Sequence, residues 1–233
     1  PQITAVFGNC GGGLAIIPTL TDFTFMEGTK AKLFVNSPNA LDGNSAAKCD
    51  TAAAEFQSKE SGIVDVVADE ETIFAKIREL VTMLPGNNED DASYDECTDD
   101  LNRACTDIVN CVGDTSIALS TIADNNIFFE VKEGYAKDMV TGFIKLNGIT
   151  VGCVANRTEV YNAEGEVEEK FDAVLSVRGC EKAAEFINFC DAFVQKRNLL
   201  FESDNLGVVR CERDIVVIGY FAAMEHDVSL FDG

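Results

Sequence analysis

Gln2-Ile3-Thr4-Ala5-Val6-Phe7 runs directly into Gly8-Asn9-Cys10-Gly11-Gly12-Gly13. The first six residues read as a short buried strand. The next six hold four glycines, which let backbone approach backbone, or a ligand, with no Cβ in the way. Leu14 to Asp22 then reads as a short helix, in which Pro18 is tolerable if it lies in the first turn, where no intrahelical donor is lost. Strand, glycine turn and helix in that order open an α/β architecture. Spacing alone leaves three uses for the turn. It is a tight turn with close strand–helix packing, or a phosphate cradle, or an oxyanion hole. The cradle lacks the GxxxxGK[ST] lysine and the GxGxxG spacing. In an oxyanion hole, consecutive N–H groups at a helix start point at one spot and the helix dipole adds positive charge there. Losing one such donor costs on the order of 3 kcal/mol of transition-state stabilisation.

Further along, Phe23–Met26, Ala31–Val35 and Ile63–Val67 read as strands, and Ala46–Ser58 as an Ala-rich helix. Glu70–Leu84 is the clearest helix. Ile73, Phe74, Ile77, Leu80, Val81 and Leu84 share a face, two glutamates stand at its favourable end, and Pro85-Gly86 stops it. Gly86 to Tyr94 reads as a linker. Its acidic run, continuing through Asp100, lacks the spacing and the central glycine of an EF-hand, so a solvated linker and helix start is expected. A second helix is expected over Leu101, Ala104, Cys105, Ile108, Val109 and Val112. Then the period changes. Ile127–Val131, Val140–Leu146 and Thr150–Ala155 read as strands, with Asn147-Gly148 as a hairpin signal. Tyr161–Lys170 reads as an exposed loop and Phe171–Val177 as a strand. Glu181–Phe193 reads as a helix with Ala183, Ala184, Ile187, Cys190 and Phe193 inward, and Asp214–Phe221 as a strand-like run.

The chain has 233 residues, 46% of them hydrophobic, enough for a buried core. Lys+Arg is 18 against Asp+Glu 40, a net charge of −22. Such a chain repels phosphate backbones and anionic membranes, which argues against nucleic acid as a partner. No apolar run approaches the ~20 residues that span a bilayer. No signal peptide is visible, and the chain opens on Pro1 with no initiator Met, as an internal piece of a longer protein would. The nine cysteines are odd in number and form no CxxC pair. They read as reduced core thiols of a cytoplasmic protein, with no disulfide framework and no metal expected. His226 is the sole histidine, so hydrolase machinery of the Ser-His-Asp or Cys-His kind has little to build on.

Two stretches decide among the uses of the turn. Gly8-Asn9-Cys10-Gly11-Gly12-Gly13, followed by Pro18-Thr19-Leu20-Thr21-Asp22-Phe23, resembles a GPCAGG turn followed by SPALTDF. Phe128-Phe129-Glu130-Val131-Lys132-Glu133-Gly134-Tyr135-Ala136, Val140 to Phe143, Asn147-Gly148, Val151-Gly152 and Val154-Ala155-Asn156 resemble a second segment of the same family, and Lys182-Ala183-Ala184 and Phe189–Phe193 continue it. Ser61–Asp65 and Leu84–Asn88 also match. The family is that of the carboxyltransferase subunits of biotin-dependent acyl-CoA carboxylases and decarboxylases, of the methylmalonyl-CoA decarboxylase alpha and propionyl-CoA carboxylase beta type. The resemblance covers 1–193.

That resemblance implies an α/β, crotonase-like fold of ββα units arranged as a spiral, with parts of two such domains present. Residues 1–86 would be the C-terminal part of the acyl-CoA domain, 87–95 a linker, 96–193 the start of the biotin-side domain, and 194–233 a tail without a match. It implies Gly12 and Gly13 as the oxyanion donors, with Gly11, Gly12 and Gly13 contacting substrate. It implies a coenzyme A thioester as substrate, biotin on a carrier protein as the other station of the carboxyl group, and a homo-oligomer. It implies a cytoplasmic location, or one membrane-associated through a decarboxylase subunit. Ile16 and Ile17 depart from a usual Tyr-Ser pair, and Gln57 from a usual His. After Phe193 the family continues Asn-Ile-Pro where this chain has Val194-Gln195-Lys196, which suggests a gene fragment with a shifted frame. Two other functions compete with transfer. One is an inactive crotonase-like scaffold lacking half of each domain. The other is a hydratase or hydrolase of the same superfamily, which needs a carboxylate near the glycines. Asp22 is the nearest in sequence, and a structural role is expected for it.

Overall fold

Parallel pairing dominates the first part of the chain. The computed structural model describes residues 1–37, 50–89, 95–106, 108, 113–162, 164–172, 174–193, 207–210 and 215–219. Strand β1 (Ile3–Val6) leads to β2 (Asn9–Gly11), a 3-10 turn (Gly12–Ala15) and α1 (Ile16–Leu20). The pattern repeats with β3 (Phe23–Glu27), β4 (Lys32–Phe34) and α2 (Ala54–Lys59). It then begins a third time with β5 (Val66–Ala68) and α3 (Glu70–Met83). The leading strands form one parallel sheet, β1-β3-β5, with Ile3 opposite Phe23 and Phe25 opposite Val66. The following strands form another, β2-β4, with Cys10 opposite Leu33. Alternate strands feeding two parallel sheets, with helices between, are the ββα repeat of a crotonase-like spiral.

The second part is built around a mixed sheet. After α4 (Thr115–Ile122), strands β6 (Phe128–Val131), β7 (Met139–Leu146) and β8 (Ile149–Asn156) run antiparallel. Asn147 and Gly148 turn β7 into β8 with φ of 51° and 78°, the two left-handed positions a tight hairpin demands. A small hairpin, β9 (Glu159–Tyr161) and β10 (Val167–Lys170), precedes α5 (Val177–Phe193). Strands β11 (Gly207–Arg210) and β12 (Ile215–Gly219) complete the sheet, β12 lying parallel to β8 with Val216 opposite Cys153.

Helix α3 starts where Asp69 accepts the Thr72 N–H (3.0 Å) and hydroxyl (2.7 Å), with Glu70 and Glu71 in its first turn. Its Ile73, Leu80 and Met83 enter a core that also takes Phe23 and Phe25 from β3, Phe129 and Phe143 from β6 and β7, and Phe186 and Cys190 from α5. The described residues of 1–86 and of 96–193 therefore share one hydrophobic cluster. Phe23 packs edge-on against Phe189 with ring centres 4.7 Å apart.

Several elements differ from the sequence reading. Phe74 and Val81 are exposed on α3, Phe74 stacking on Phe7, while Met83 takes the inward place. Leu101–Thr106 forms turns, not helix, because Arg103 engages the Thr121 and Ala123 carbonyls at 2.6 Å each and pins the stretch to α4. Residues 107 and 109–112 of that expected helix lie outside the described residues, as do 46–49 of the helix expected over Ala46–Ser58, which begins at Ala54. The strand expected at Ile63–Val67 is confined to β5. The loop expected at Tyr161–Lys170 contains a hairpin, and the described residues expected as the strand Phe171–Val177 form no strand before α5 begins. Helix α5 buries Gly179, Lys182, Phe186 and Cys190, leaving Ala184 exposed. Cys10, Cys97, Cys105, Cys153, Cys180 and Cys190 are free thiols; Cys49, Cys111, Cys211 and His226 lie outside the described residues.

Candidate active site

The glycine turn sits between β2 and α1, and its glycines do different things. Gly11 lies against Phe34, so a Cβ there would stand 2.7 Å from the ring. Gly12 has φ +64°, a conformation that L side chains rarely adopt, and its N–H donates to the Val35 carbonyl at 3.2 Å. Gly13 has neither constraint. A Cβ on it would meet nothing within 4 Å, and the same holds at Gly8. Intramolecular packing supplies no reason for glycine at Gly13. Its amide stands at the start of a helical segment whose own bonds begin further along, the Ile16 N–H reaching the Gly13 carbonyl. The two neighbouring amides therefore differ in their surroundings. Gly12 is engaged by Val35, and the open position belongs to Gly13.

A groove of about 260 Å3 runs beside the turn, lined by consecutive residues Thr4 to Cys10 and by Leu14, Ile17 and Pro18. Neither Gly12 nor Gly13 lines it; Leu14, the next residue, does. Leu14, Ile16, Ile17 and Leu20 are all more than half exposed, as is Val35, so the turn is ringed by uncovered apolar surface. Ile16 and Ile17 both contribute to that surface.

Neighbouring polar residues hold the turn in place. Asp22 Oδ2 accepts the Gln2 N–H at 2.6 Å, and the Asp22 and Phe23 N–H groups donate to the Gln2 carbonyl. The Asp22 carboxylate thereby clamps the entry of β1. Gln57 donates from Nε2 to the Thr51 carbonyl (2.6 Å) and accepts at Oε1 from the Ser61 hydroxyl (2.8 Å), so it ties the start of α2 to its end. Thr24 Oγ1 donates to the Pro18 carbonyl at 2.8 Å, anchoring the last turn of α1 to β3.

A buried charge network in the second part escaped the sequence reading. Lys182 is 2% exposed, and its Nζ donates to the carbonyls of Lys132 (2.8 Å), Tyr135 (2.8 Å) and Met139 (2.7 Å). Only the ammonium form supplies three protons to three carbonyls. Burial nevertheless pulls Lys182 down to about 7, opposed first by Glu130. Burial pushes the Glu130 carboxyl up to about 6, opposed by Arg157, which is itself buried and sits 3.6 Å from both Glu130 and Asp114. These groups hold the loop between β6 and β7, where Lys132 and Ala136 take positive φ. The available signal was a lysine at 182 in step with Phe186 and Cys190, on the inward stripe of a helix.

The glycines of the second part offer no counterpart to Gly13. A Cβ would strike Ser58 at Gly134, the Phe129 carbonyl at Gly142, Cys190 at Gly152 and Asp138 at Gly179. Among the described residues, no group of three or more His, Cys, Asp or Glu is arranged to hold a metal, and no helix is long and apolar enough to cross a membrane.

With that geometry in view, the likeness to known proteins is direct. The carboxyl transferase domain model matches residues 1–201. The chain belongs to the carboxyl transferase domain family. It is 34% identical to the propionyl-CoA carboxylase carboxyltransferase subunit of Haloferax mediterranei over 204 residues, covering 83% of this chain and 38% of that protein. It is 34% identical to the methylmalonyl-CoA carboxyltransferase 12S subunit of Propionibacterium freudenreichii subsp. shermanii, covering 83% and 37%. A crystal structure of transcarboxylase 12S, described as a hexamer with methylmalonyl-coenzyme A and methylmalonic acid bound, superposes with a TM-score of 0.70 at 34% identity, again over 83% and 37%. The chain thus spans well under half the length of these relatives.

Proposed function

We propose that this carboxyl transferase family chain contributes the acyl-CoA side of a carboxyltransferase, acting on a short-chain thioester of the methylmalonyl-CoA or propionyl-CoA type. The observation that carries the reading is Gly13. It is a glycine with open space over its Cα, no positive φ, and an amide at the head of a helical segment beside uncovered apolar surface. The relatives named for propionyl-CoA and methylmalonyl-CoA chemistry support the substrate class.

The thioester carbonyl oxygen accepts the Gly13 N–H. When the carboxyl group leaves the α-carbon, the electron pair of the broken C–C bond moves into the thioester, and negative charge gathers on that oxygen. A fixed donor there favours the enolate over the ground-state carbonyl, and the same donor serves addition of a carboxyl group in reverse. Gly12, held at φ +64° and bonded to Val35, sets the path that presents Gly13, and becomes a second donor if substrate displaces the Val35 carbonyl. Biotin on a carrier protein is the other station of the carboxyl group. The exposed apolar ring of Leu14, Ile16, Ile17, Leu20 and Val35 supports assembly into a homo-oligomer, in keeping with the hexamer named for transcarboxylase 12S.

The test uses the full-length carboxyltransferase. Gly13→Pro removes the donor and lowers acyl transfer about 100-fold or more while assembly persists. Gly13→Ala keeps the donor and leaves the denaturation midpoint unchanged, because its Cβ meets nothing within 4 Å of the chain, yet crowds the thioester. Normal turnover in Gly13→Pro rejects the assignment. The second reading, an inactive scaffold, rests on the chain's partial coverage of its relatives. It predicts no calorimetric binding of propionyl-CoA to this chain and no effect of either substitution.

A further inference from the structure

Asp65 lies in the turn that opens β5. Its N–H donates to the Thr24 carbonyl (2.8 Å), and its Oδ2 accepts the Thr24 N–H (2.6 Å). Its other oxygen, Oδ1, is fully buried and has no hydrogen-bond partner. A buried carboxylate oxygen left so is costly unless something satisfies or neutralises it.

Oδ1 belongs to a side chain lining a cavity of about 20 Å3 on the seam between the two parts of the chain. That volume suits a single water molecule. The titratable and polar groups facing Asp65 there are Asp22 from the first part and Lys132, Thr141, Lys182 and Glu185 from the second. Each is already engaged. Asp22 accepts from Gln2, and Thr141 donates to the Val131 carbonyl at 2.9 Å. Lys182 serves three carbonyls, and Lys132 Nζ is 2.5 Å from Glu185 Oε2. The cavity therefore presents one unsatisfied acceptor, and the cation that pulls on it, Lys132, is shared with Glu185.

We propose that Asp65 and the water-sized cavity beside it form a protonation-sensitive latch between the two parts of the chain. With its proton on, Asp65 donates to one water in the cavity and sits neutral in the seam. Without it, the seam encloses a negative charge, and Lys132 is drawn between Asp65 and Glu185. The latch reaches α1, the helix that follows the glycine turn, through two contacts, Asp65 to Thr24 and Thr24 Oγ1 to the Pro18 carbonyl.

The titration follows the geometry. Burial pushes the Asp65 carboxyl up from 3.8 to about 7, with Lys132 pulling it back and Glu185 adding to the rise. The folded state therefore keeps a proton that the unfolded chain has released. Stability is fully present below 3.8 and is lost as pH rises through about 7. Within that window, each pH unit moves the unfolding equilibrium about tenfold toward the unfolded chain.

Three measurements on this chain decide it. The Asp65 carboxyl, followed by carbon NMR, titrates with a midpoint near 7. Urea unfolding of wild type and Asp65→Asn from pH 4.5 to 7 gives a ratio of unfolding constants that climbs about tenfold per unit. Lys132→Met moves the Asp65 midpoint further up, because the cation that lowers it is gone. An Asp65 midpoint below 5, a flat ratio, or an unmoved midpoint in Lys132→Met overturns the latch. If Asp65→Asn does not fold, the wild-type titration alone decides.

Discussion

Replacing Lys182 with Met tests whether the buried ammonium is a structural centre. The aliphatic stem and volume stay, while three hydrogen bonds go. The Lys132 carbonyl keeps a partner in the Tyr135 N–H at 3.0 Å, so the loss falls mainly on Tyr135 and Met139. Two stranded carbonyls cost ~1–3 kcal/mol each. Breaking a buried charge cluster by removing one member costs ~3–5 kcal/mol, and Glu130 loses a counter-charge here. Against this, Met needs no desolvation and Glu130 neutralises readily. The expected loss is about 3 kcal/mol at pH 6.5, between the values of about 7 for Lys182 and about 6 for Glu130, where ammonium and carboxylate are both present, and at a urea slope of ~2–3 kcal/mol/M it lowers the midpoint by roughly 1–1.5 M. The loss shrinks at pH 5, where Glu130, pushed up to about 6, already carries its proton. A midpoint within ~0.2 M of wild type at pH 6.5, or a loss that grows between pH 6.5 and 5, refutes the reasoning.

Gly142→Ala places a Cβ 2.2 Å from the Phe129 carbonyl and costs about 3 kcal/mol; a calorimetric melt within a degree of wild type contradicts that packing. Gly152→Ala puts its Cβ 2.7 Å from Cys190 Sγ, and Cys190→Ala in the same chain recovers part of the loss; a double-mutant cycle with additive effects shows the two do not touch. Gly148→Val forces a branched side chain to φ near 78° in the hairpin and costs ~1–2 kcal/mol by denaturant titration, while Gly165→Val, at φ 81° in a surface turn with nothing within 4 Å, costs less in proportion to its shallower burial.

Where one face of an element had to be apolar, the residues announced it. Val140–Leu146 and Thr150–Ala155 around Asn147-Gly148 read as a hairpin because two left-handed residues between β-branched runs have few other uses. Helix α3 was legible from its period and its acidic first turn. Its stripe over Ile73, Ile77, Leu80 and Leu84 faces the core as its period implies, while Met83 joins it and Phe74 and Val81 stay out, since all three are apolar and only tertiary contact chooses among them. Leu101–Thr106 misled for a different reason. Its period is helical, but Arg103 finds two carbonyls on α4, and that contact lies some twenty residues away in sequence. At the turn, the importance of the glycines was visible in the string Gly11-Gly12-Gly13. The division of labour among them was not, because it depends on Phe34 and Val35 arriving from another strand. The buried cluster around Lys182 could be sensed only as a charge on an apolar stripe, with its partners at positions 132 to 139 set by the fold.

The close approach of α5 to β8 at Gly152 carries a practical corollary for thiol chemistry. Cys153 and Cys190 are sealed from solvent, and burial pushes the Cys153 thiol up to about 12 and Cys190 higher still. Neither can meet an alkylating reagent as thiolate while helix and sheet stay together, whereas Cys180 lies exposed on the outer face. Delayed labelling at those two sulfurs therefore clocks separation of α5 from the sheet, using only atoms the chain already carries.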